Sequence, residues 1–282
     1  MDLKFEKLHE DFGARISSFN PKKLLSKDFA TQIMAAIDEY SFLHFPKQVI
    51  NEKKHLAFTR LLGIPEINHV KFGQEGVTDY FYTIGNVQHG GGALPNSHKT
   101  VIFQTGNNMW HSDSSFQKTP AFATITYACE TPTVGGETEF VSCRSAYTRL
   151  PDLIKKEIDR LIVVHDYLFS RSKVSQDAVT PSHAVSLPPV RHKLVRENTA
   201  IRRKNYYIGS HAKEIEGWSF CESRRLLDDL LERATKADYI FTHQWEKGDF
   251  VIWDNRCLLH RGKGYDADLY RRRMRQTRVK EK

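Results

Sequence analysis

The fold of this chain is decided by the W-H-S-D-S-S-F run at residues 110–116 and by a second run, W-D-N-R-C-L-L-H, at residues 253–260. In an extended segment, side chains two residues apart point to the same face, so His111 and Asp113 can approach one metal ion from a single strand end. His260 follows the apolar, strand-like run 250–253 and can complete the set from a neighbouring strand. Two imidazoles and one carboxylate form the facial triad that holds non-haem Fe(II) and leaves open positions. We therefore predict a catalytic metal site of His111, Asp113 and His260.

Composition indicates an ordinary globular protein. Of the 282 residues, 40% are hydrophobic and 11% aromatic, which suffices for a substantial core in one domain spanning 1–282. No run approaches the ~18 apolar residues of a membrane span, and the N-terminus has no apolar signal core. Four widely spaced cysteines form no C-x-x-C pair and predict buried thiols. The sequence therefore predicts a cytoplasmic protein with no membrane partner, and it leaves a homo-oligomer open.

The net charge of +8 permits nucleic-acid binding without requiring it. The basic run at 271–275 fits a phosphate-binding stripe, but it equally fits a strand whose arginines alternate inward and outward. Inward arginines would bind an anionic small molecule through bidentate forks. Aromatic residues are not interleaved with the basic runs, which argues against nucleic acid as a partner.

Periodicity predicts many short strands with a few helices outside them. Residues 26–40, 144–160 and 222–235 are predicted helices, the first with Ser26 as its N-cap. Residues 239–243 and 249–253 are predicted to pair as strands. The Gly-rich stretch at about 85–100 predicts a mobile loop, and about 170–203 predicts an insertion or lid over the core. The fold class that fits is mainly β with flanking helices around a double-stranded β-helix, the jelly-roll or cupin-like barrel.

Four motifs in order resemble one known family, the Fe(II)/2-oxoglutarate-dependent dioxygenases of the taurine dioxygenase type, nearest the chlorophenoxyacetate-degrading branch. They are the two runs quoted above, P-T-x-G-G-x-T-E-F at 132–140 and R-R-K-x-x-Y-x-x-S-H-A at 202–212. The resemblance covers roughly residues 25–279. It is specific for the family and much less specific for the substrate.

The resemblance implies roles for particular residues. His111, Asp113 and His260 would hold Fe(II), while Thr138 and Arg272 would bind the distal carboxylate of 2-oxoglutarate. A hydroxyl and an arginine fork together suit a carboxylate in a partly dry site. The implied reaction oxidises a small organic substrate with O₂, by hydroxylation or oxidative cleavage, and converts 2-oxoglutarate to succinate and CO₂.

The pattern breaks at the substrate. Family members that bind anionic substrates carry a second arginine four residues after the cofactor arginine, where this chain has Gln276, and a neutral amide cannot replace a guanidinium. Arg275 and Arg278 flank this position, and strand alternation is taken to point both away from it. Lys71 is a candidate cation, although an ordinary surface lysine explains it as well. Asn107, which matches a substrate-lining asparagine of the family, and His211 complete the predicted substrate contacts.

The substrate therefore stays open at this stage. Gln276 favours a natural-product intermediate over the alternative, a catabolic dioxygenase of aryloxyalkanoates or sulfonates. A nucleic-acid or protein demethylase with the same iron centre is a further alternative, and a cupin-like binding protein without turnover is another.

Overall fold

The computed structural model describes residues 3–17, 25–68, 79–88, 90–175 and 185–282. The strands are β1 (Phe5–Lys7), β2 (Ala14–Ile16), β3 (Phe42–Phe45), β4 (Tyr82–Gly85), β5 (Ala121–Glu130), β6 (Thr138–Ser142), β7 (Ile162–His165), β8 (Val190–Lys193), β9 (Val195–Asn198), β10 (Arg203–Tyr206), β11 (Ala212–Ile215), β12 (Phe241–His243), β13 (Phe250–Asp254), β14 (Leu258–Gly262) and β15 (Arg273–Lys280). The helices are α1 (Lys27–Tyr40), α2 (Glu52–Leu62), α3 (Lys99–Gln104), α4 (Cys143–Thr148), α5 (Asp152–Ile158), α6 (Tyr167–Ser172) and α7 (Phe220–Ala234), with 3₁₀ turns at Thr105–Asn108 and Ala237–Tyr239.

Two sheets face each other across an aromatic core. The large sheet has the order β1-β2-β3-β13-β5-β15-β4, and the small one has the order β12-β6-β14. Phe42 and Trp253 of the large sheet meet Phe140 of the small sheet, with ring centroids 4.8 and 5.6 Å apart and edge-to-face geometry. This arrangement confirms the predicted mainly β fold with a jelly-roll core.

Helices cover the outer face of the large sheet. Phe29, Ile33 and Ile37 of α1 and Phe58 of α2 are buried against apolar side chains of β3, β5 and β13. The Ser26 side chain accepts a hydrogen bond from the main-chain N–H of Phe29, which confirms the predicted N-cap. On the other side of the molecule, α7 packs on a three-stranded sheet of order β11-β7-β8.

Two sequence-based predictions of local structure are wrong. The strands predicted at 239–243 and 249–253 do not pair with each other: β12 pairs with β6 in the small sheet, and β13 pairs with β3 and β5 in the large one. The connection Gln244–Asp249 thus crosses between sheets. The helix predicted over 144–160 is broken into α4 and α5, because Pro151 has no main-chain N–H to donate within a continuous helix.

The two longer connections contain regular structure. Residues 85–100 hold the end of β4, a bridge between Val87 and Ala93, and the start of α3. Residues 170–203 hold the end of α6, then β8 and β9. The single-domain boundary and the movement of either segment stay predictions. No helix in the described ranges is both long and apolar enough to cross a lipid bilayer.

Strand pairing brings the predicted site together. The main chains of His111 and His260 form an antiparallel bridge, with N–H···O distances of 3.0 and 2.9 Å. This bridge extends the small sheet beyond β14. Opposite it, β15 turns Met274, Gln276 and Arg278 toward the space between the sheets, and Thr277 toward α2.

Candidate metal and cosubstrate site

His111, Asp113 and His260 form a buried cluster at the mouth of the barrel. Their potential ligand atoms all lie within 4.8 Å of one another. Nε2 of His111 is 3.9 Å from one oxygen of Asp113, and Nε2 of His260 is 3.6 Å from the other. The cluster lines a cavity of about 360 Å³. The structure thus brings the three predicted residues into the arrangement that a facial triad requires.

The electrostatics of the cluster favour two neutral imidazoles and one carboxylate. Burial lowers the pKa of His260 to about 3, and it also lowers the pKa of His111. Burial alone would raise the pKa of Asp113, but the charge of Arg278 and the hydrogen bond from Thr124 oppose it, and this pKa lies below its usual range. Neutral imidazole and ionised carboxylate are the forms that bind a metal ion.

Hydrogen bonds fix how His111 faces the cavity. Its Nδ1 is 2.8 Å from the main-chain oxygen of Met109, which can only accept, so Nδ1 carries the proton and Nε2 has a free lone pair. The His260 ring stacks on Phe140 at 5.8 Å with an interplanar angle of 21°, and this contact holds it against the small sheet.

Three side chains to which no role was assigned from the sequence hold Asp113. Thr124 donates to one carboxylate oxygen at 2.7 Å, and Arg278 donates to the other at 2.7 Å. Asn255 accepts from the main-chain N–H of Asp113 at 3.2 Å and donates to the Thr124 hydroxyl at 2.8 Å. The asparagine belongs to the W-D-N-R motif, so the motif had marked it; the role of Thr124 depends on the pairing of β5 with β13.

The orientation of Arg278 differs from the one predicted from the sequence. Residues 276 and 278 are two apart on β15 and therefore share a face, contrary to the expectation that Arg278 points away from Gln276. The Arg278 guanidinium is buried between Asp113 and Glu66 and lies 4.1 Å from the centre of the Tyr82 ring. These carboxylates raise its pKa although burial opposes them.

Arg272, a buried arginine without an ion pair to any described residue, lies in the same cavity. Arg272 and Thr138 both line it, together with the metal cluster. Nε of Arg272 has no hydrogen-bond partner among the described residues, and burial lowers its pKa to about 10. Gly136 has φ +77°, and a Cβ there would lie 2.7 Å from Pro132 and 3.4 Å from Arg272 Nε. An unpaired buried guanidinium is costly, so this geometry calls for an anionic ligand.

The predicted substrate-binding residues do not all line the cavity. Asn107 and Gln276 line the cavity. With its amide oriented to satisfy both neighbours, Gln276 accepts from Arg278 and donates to Thr126, each at 3.2 Å. His211 lines no wall of it, because its ring is buried behind His111 and Phe116, with Nδ1 2.7 Å from the Ser170 hydroxyl. Lys71 lies outside the described residues.

A second cavity of about 550 Å³ adjoins the first and shares five lining residues with it, among them Asn107 and Arg278. Arg171 of α6 lies in its wall and is buried. This side chain was not predicted, because Arg171 lies within the stretch interpreted as an insertion and nothing in its local sequence pattern marks it.

The described residues hold a second group of two histidines and one aspartate, His44, His243 and Asp249. It differs from the first in that both imidazoles lie directly against the carboxylate. Nε2 of His44 and Nε2 of His243 lie 2.9 and 3.2 Å from the two oxygens of Asp249, which also accepts from the main-chain N–H of Glu246 at 2.9 Å. None of the three lines the cavity that holds Arg272.

Comparisons with known proteins agree with this geometry. The chain is 34% identical over 281 residues to an alpha-ketoglutarate-dependent 2,4-dichlorophenoxyacetate dioxygenase of Cupriavidus pinatubonensis, with 98% of each chain covered. It is 32% identical to an (S)-phenoxypropionate/alpha-ketoglutarate-dioxygenase of Sphingobium herbicidovorans, covering 92% of this chain and 88% of the relative.

Among solved structures, AAD-2 in complex with Mn(II) and N-oxalylglycine superposes with a TM-score of 0.89 at 33% identity, covering 99% of this chain and 97% of the other. The family model described as taurine catabolism dioxygenase TauD, TfdA family matches residues 4–278. These findings confirm the resemblance drawn from the four motifs: the chain belongs to the taurine catabolism dioxygenase TauD, TfdA family.

Proposed function

We propose that this protein is a non-haem Fe(II)/2-oxoglutarate-dependent dioxygenase that hydroxylates or oxidatively cleaves a small organic acid. The observation that carries the proposal is the buried His111–Asp113–His260 cluster sharing one cavity with the unpaired Arg272. The first supplies a metal site with open positions, and the second supplies a site for a carboxylate. A binding protein without turnover would not explain why the metal-binding cluster and Arg272 share one cavity.

The residues present fit Fe(II). His111 and His260 offer neutral nitrogens and Asp113 offers one ionised carboxylate, in a pocket whose outer hydrogen bonds hold these groups in place. When bound, the metal supplies the oxidising power by activating O₂ together with 2-oxoglutarate, which is released as succinate and CO₂. The chain's own contribution is to orient the reactants and to exclude water.

The residues present also fit 2-oxoglutarate. Arg272 would pair with the distal carboxylate, and the Thr138 hydroxyl would donate to it. Trp245 donates to Thr138 at 2.9 Å, which occupies one lone pair of that hydroxyl and leaves its proton free for the ligand. 2-Oxoglutarate is fully ionised at neutral pH. When its distal carboxylate pairs with Arg272, the free-energy cost of burying an unpaired guanidinium is removed.

For the substrate, we now favour an aryloxyalkanoate or a related organic acid over a natural-product intermediate without charge. The relatives named above act on phenoxy acids, and the second cavity is rich in arginine. Asn107, which lines both cavities, and Gln276, which lines the first, are proposed to contact the substrate. His211 is proposed to support His111 from behind rather than to contact substrate.

The contacts of the basic run at residues 271–275 also favour a small-molecule substrate. Arg271 and Arg273 pair with Glu130, while Arg272 points into the cavity. The run therefore follows the alternating interpretation and does not form a continuous phosphate-binding stripe. The absence of nucleic-acid binding, a cytoplasmic location and a homo-oligomer remain predictions.

Substrate-stimulated turnover tests the proposal. Purified protein with Fe(II), 2-oxoglutarate and air is assayed for succinate with a panel of aryloxyacetates, sulfonates, amino acids and neutral heterocycles. We expect one class of organic acid to raise succinate above the uncoupled background, with an oxidised product in equal amount. Succinate that stays at the level of a metal-free control under every condition would contradict the proposal.

A further inference from the structure

The second cavity carries more positive than negative side chains. Four arginines line it, at positions 171, 273, 275 and 278, against the carboxylates of Glu52 and Asp79. Arginine forks in a concave site attract and orient carboxylates, sulfonates and sulfate esters. An arginine that already forms an ion pair within the fold is a poor candidate for binding a ligand anion.

Three of the four are paired within the fold. Arg278 binds Asp113 and Glu66, as described above. Arg275 donates to the main-chain oxygen of Ile50 at 2.6 Å and lies 3.9 Å from Glu52. Arg273 lies 3.4 Å from Glu130 on the neighbouring strand. Moving any of them onto a substrate would break an existing ion pair.

Arg171 differs from these three. Within the described ranges, its polar contacts are uncharged oxygens: Nη1 is 3.3 Å from the main-chain oxygen of Phe103, Nη2 is 3.3 Å from Oδ1 of Asn107, and the Tyr167 hydroxyl is a further neighbour. Nε has no hydrogen-bond partner there. The guanidinium lies 4.7 Å from the centre of the Phe103 ring and 5.5 Å from that of Tyr167. A buried cation held by aromatic rings and long hydrogen bonds is positioned but not neutralised.

The backbone next to Arg171 is shaped to admit its guanidinium. A Cβ at Gly106 would lie only 2.2 Å from Nη1 of Arg171, so the arginine occupies the space that a larger residue would fill. Gly106 and Asn107 belong to the 3₁₀ turn that ends just before Trp110 and His111. Asn107 lines both cavities, so its partner Arg171 lies where the second cavity adjoins the one that holds the metal cluster and Arg272.

We infer that Arg171 binds the anionic group of the substrate. It would thereby supply the positive charge that is missing at position 276, where this chain has glutamine. Gln276 is held in the wall by Arg278 and Thr126 and leaves that position neutral. The anion would lie against Arg171 and Asn107, and the rest of the substrate would extend along Met274 toward the metal cluster. This inference rests on the proposed function and narrows it to substrates with one carboxylate, sulfonate or sulfate group.

Equilibrium binding tests the inference without turnover. Protein loaded with Mn(II) and N-oxalylglycine is titrated by calorimetry with phenoxyacetate, benzenesulfonate and hexyl sulfate, and with the uncharged methyl phenoxyacetate. The variants are Arg171→Met, which keeps apolar volume, Arg171→Lys, which keeps charge without the fork, and Arg233→Gln on the surface of α7 as a control. Thermal unfolding of each variant is recorded beside the titration.

We expect at least one anion to bind the wild type and to lose affinity by at least ~30-fold in Arg171→Met, as for removal of one partner from a buried charge pair. Arg171→Lys should retain part of that affinity, methyl phenoxyacetate should bind wild type and Arg171→Met alike, and Arg233→Gln should match the wild type.

Equal affinity of Arg171→Met and wild type for the anions would overturn the inference, as would a wild type that binds none of them. Loading with N-oxalylglycine distinguishes failure of the proposed function from failure of the inference about Arg171. A wild type that does not bind N-oxalylglycine contradicts the proposed function, whereas one that does but is indifferent to Arg171 contradicts this inference alone.

Discussion

Asp113→Asn is expected to abolish both tight metal binding and substrate-dependent succinate formation. The carboxylate is the only charged ligand of the cluster among the described residues, and an amide oxygen is a far weaker ligand. The loss of turnover should be at least ~1,000-fold, well above the ~10–100-fold that follows removal of an outer partner of a ligand. Asparagine can still accept from Arg278, so the variant should fold, whereas Asp113→Ala would remove this hydrogen bond and leave the buried guanidinium with Glu66 as its remaining carboxylate.

The second cluster provides a matched control. Asp249→Asn removes the carboxylate of the other two-histidine, one-aspartate group, in which both imidazoles lie directly against that carboxylate. It should lower thermal stability, but the folded fraction should still bind one metal ion and turn over. Metal content by atomic emission and succinate by chromatography are measured on both variants. Loss of metal in Asp249→Asn with retention in Asp113→Asn would reverse the assignment.

Arg272→Met is expected to weaken 2-oxoglutarate binding by at least ~100-fold, within the 2–5 kcal/mol range found when one partner of a buried charge pair is removed. The same substitution should leave the free energy of unfolding unchanged or raise it. The reason is that, before the ligand binds, the wild-type guanidinium is buried without an ion pair to any residue that the structure describes. A methionine of similar length removes that cost while filling the space.

The opposite signs of these two effects distinguish a ligand-binding arginine from a structural one. Dissociation constants for N-oxalylglycine in the Mn(II)-loaded protein are measured beside urea unfolding of the unloaded protein. Arg272→Lys should fall between wild type and Arg272→Met in affinity, because it keeps the charge but not the fork. If Arg272→Met unfolds more easily and binds N-oxalylglycine as tightly as wild type, the arginine is structural and the account of the cosubstrate is wrong.

Much of the site could be predicted because its residues lie in short, ordered motifs. The spacing of His111 and Asp113 follows from strand geometry, and β14 supplies His260 through a main-chain bridge next to them. The unpaired state of Arg272 was not visible in the sequence. That property depends on which carboxylates the fold brings near it.

What could not be predicted depends on long-range packing. The Arg278–Asp113 pair joins β15 to the turn after residue 111, and only the structure shows that distance. Arg171 reaches the cavity because α6 packs over the 3₁₀ turn at Thr105–Asn108, a contact between segments with no shared pattern. His211 was placed in the pocket by its motif, whereas packing puts its ring behind His111. Local periodicity also paired β12 with β13, although the jelly-roll separates them into opposite sheets.

The most direct test of the central claim is a crystal structure of the protein grown without oxygen with Mn(II) and 2-oxoglutarate. The account predicts one metal ion bonded to Nε2 of His111, a carboxylate oxygen of Asp113 and Nε2 of His260. It also predicts 2-oxoglutarate on the metal with its distal carboxylate on Arg272 and Thr138. A metal ion at His44, His243 and Asp249 with the first cluster empty, or 2-oxoglutarate bound away from Arg272, would contradict it.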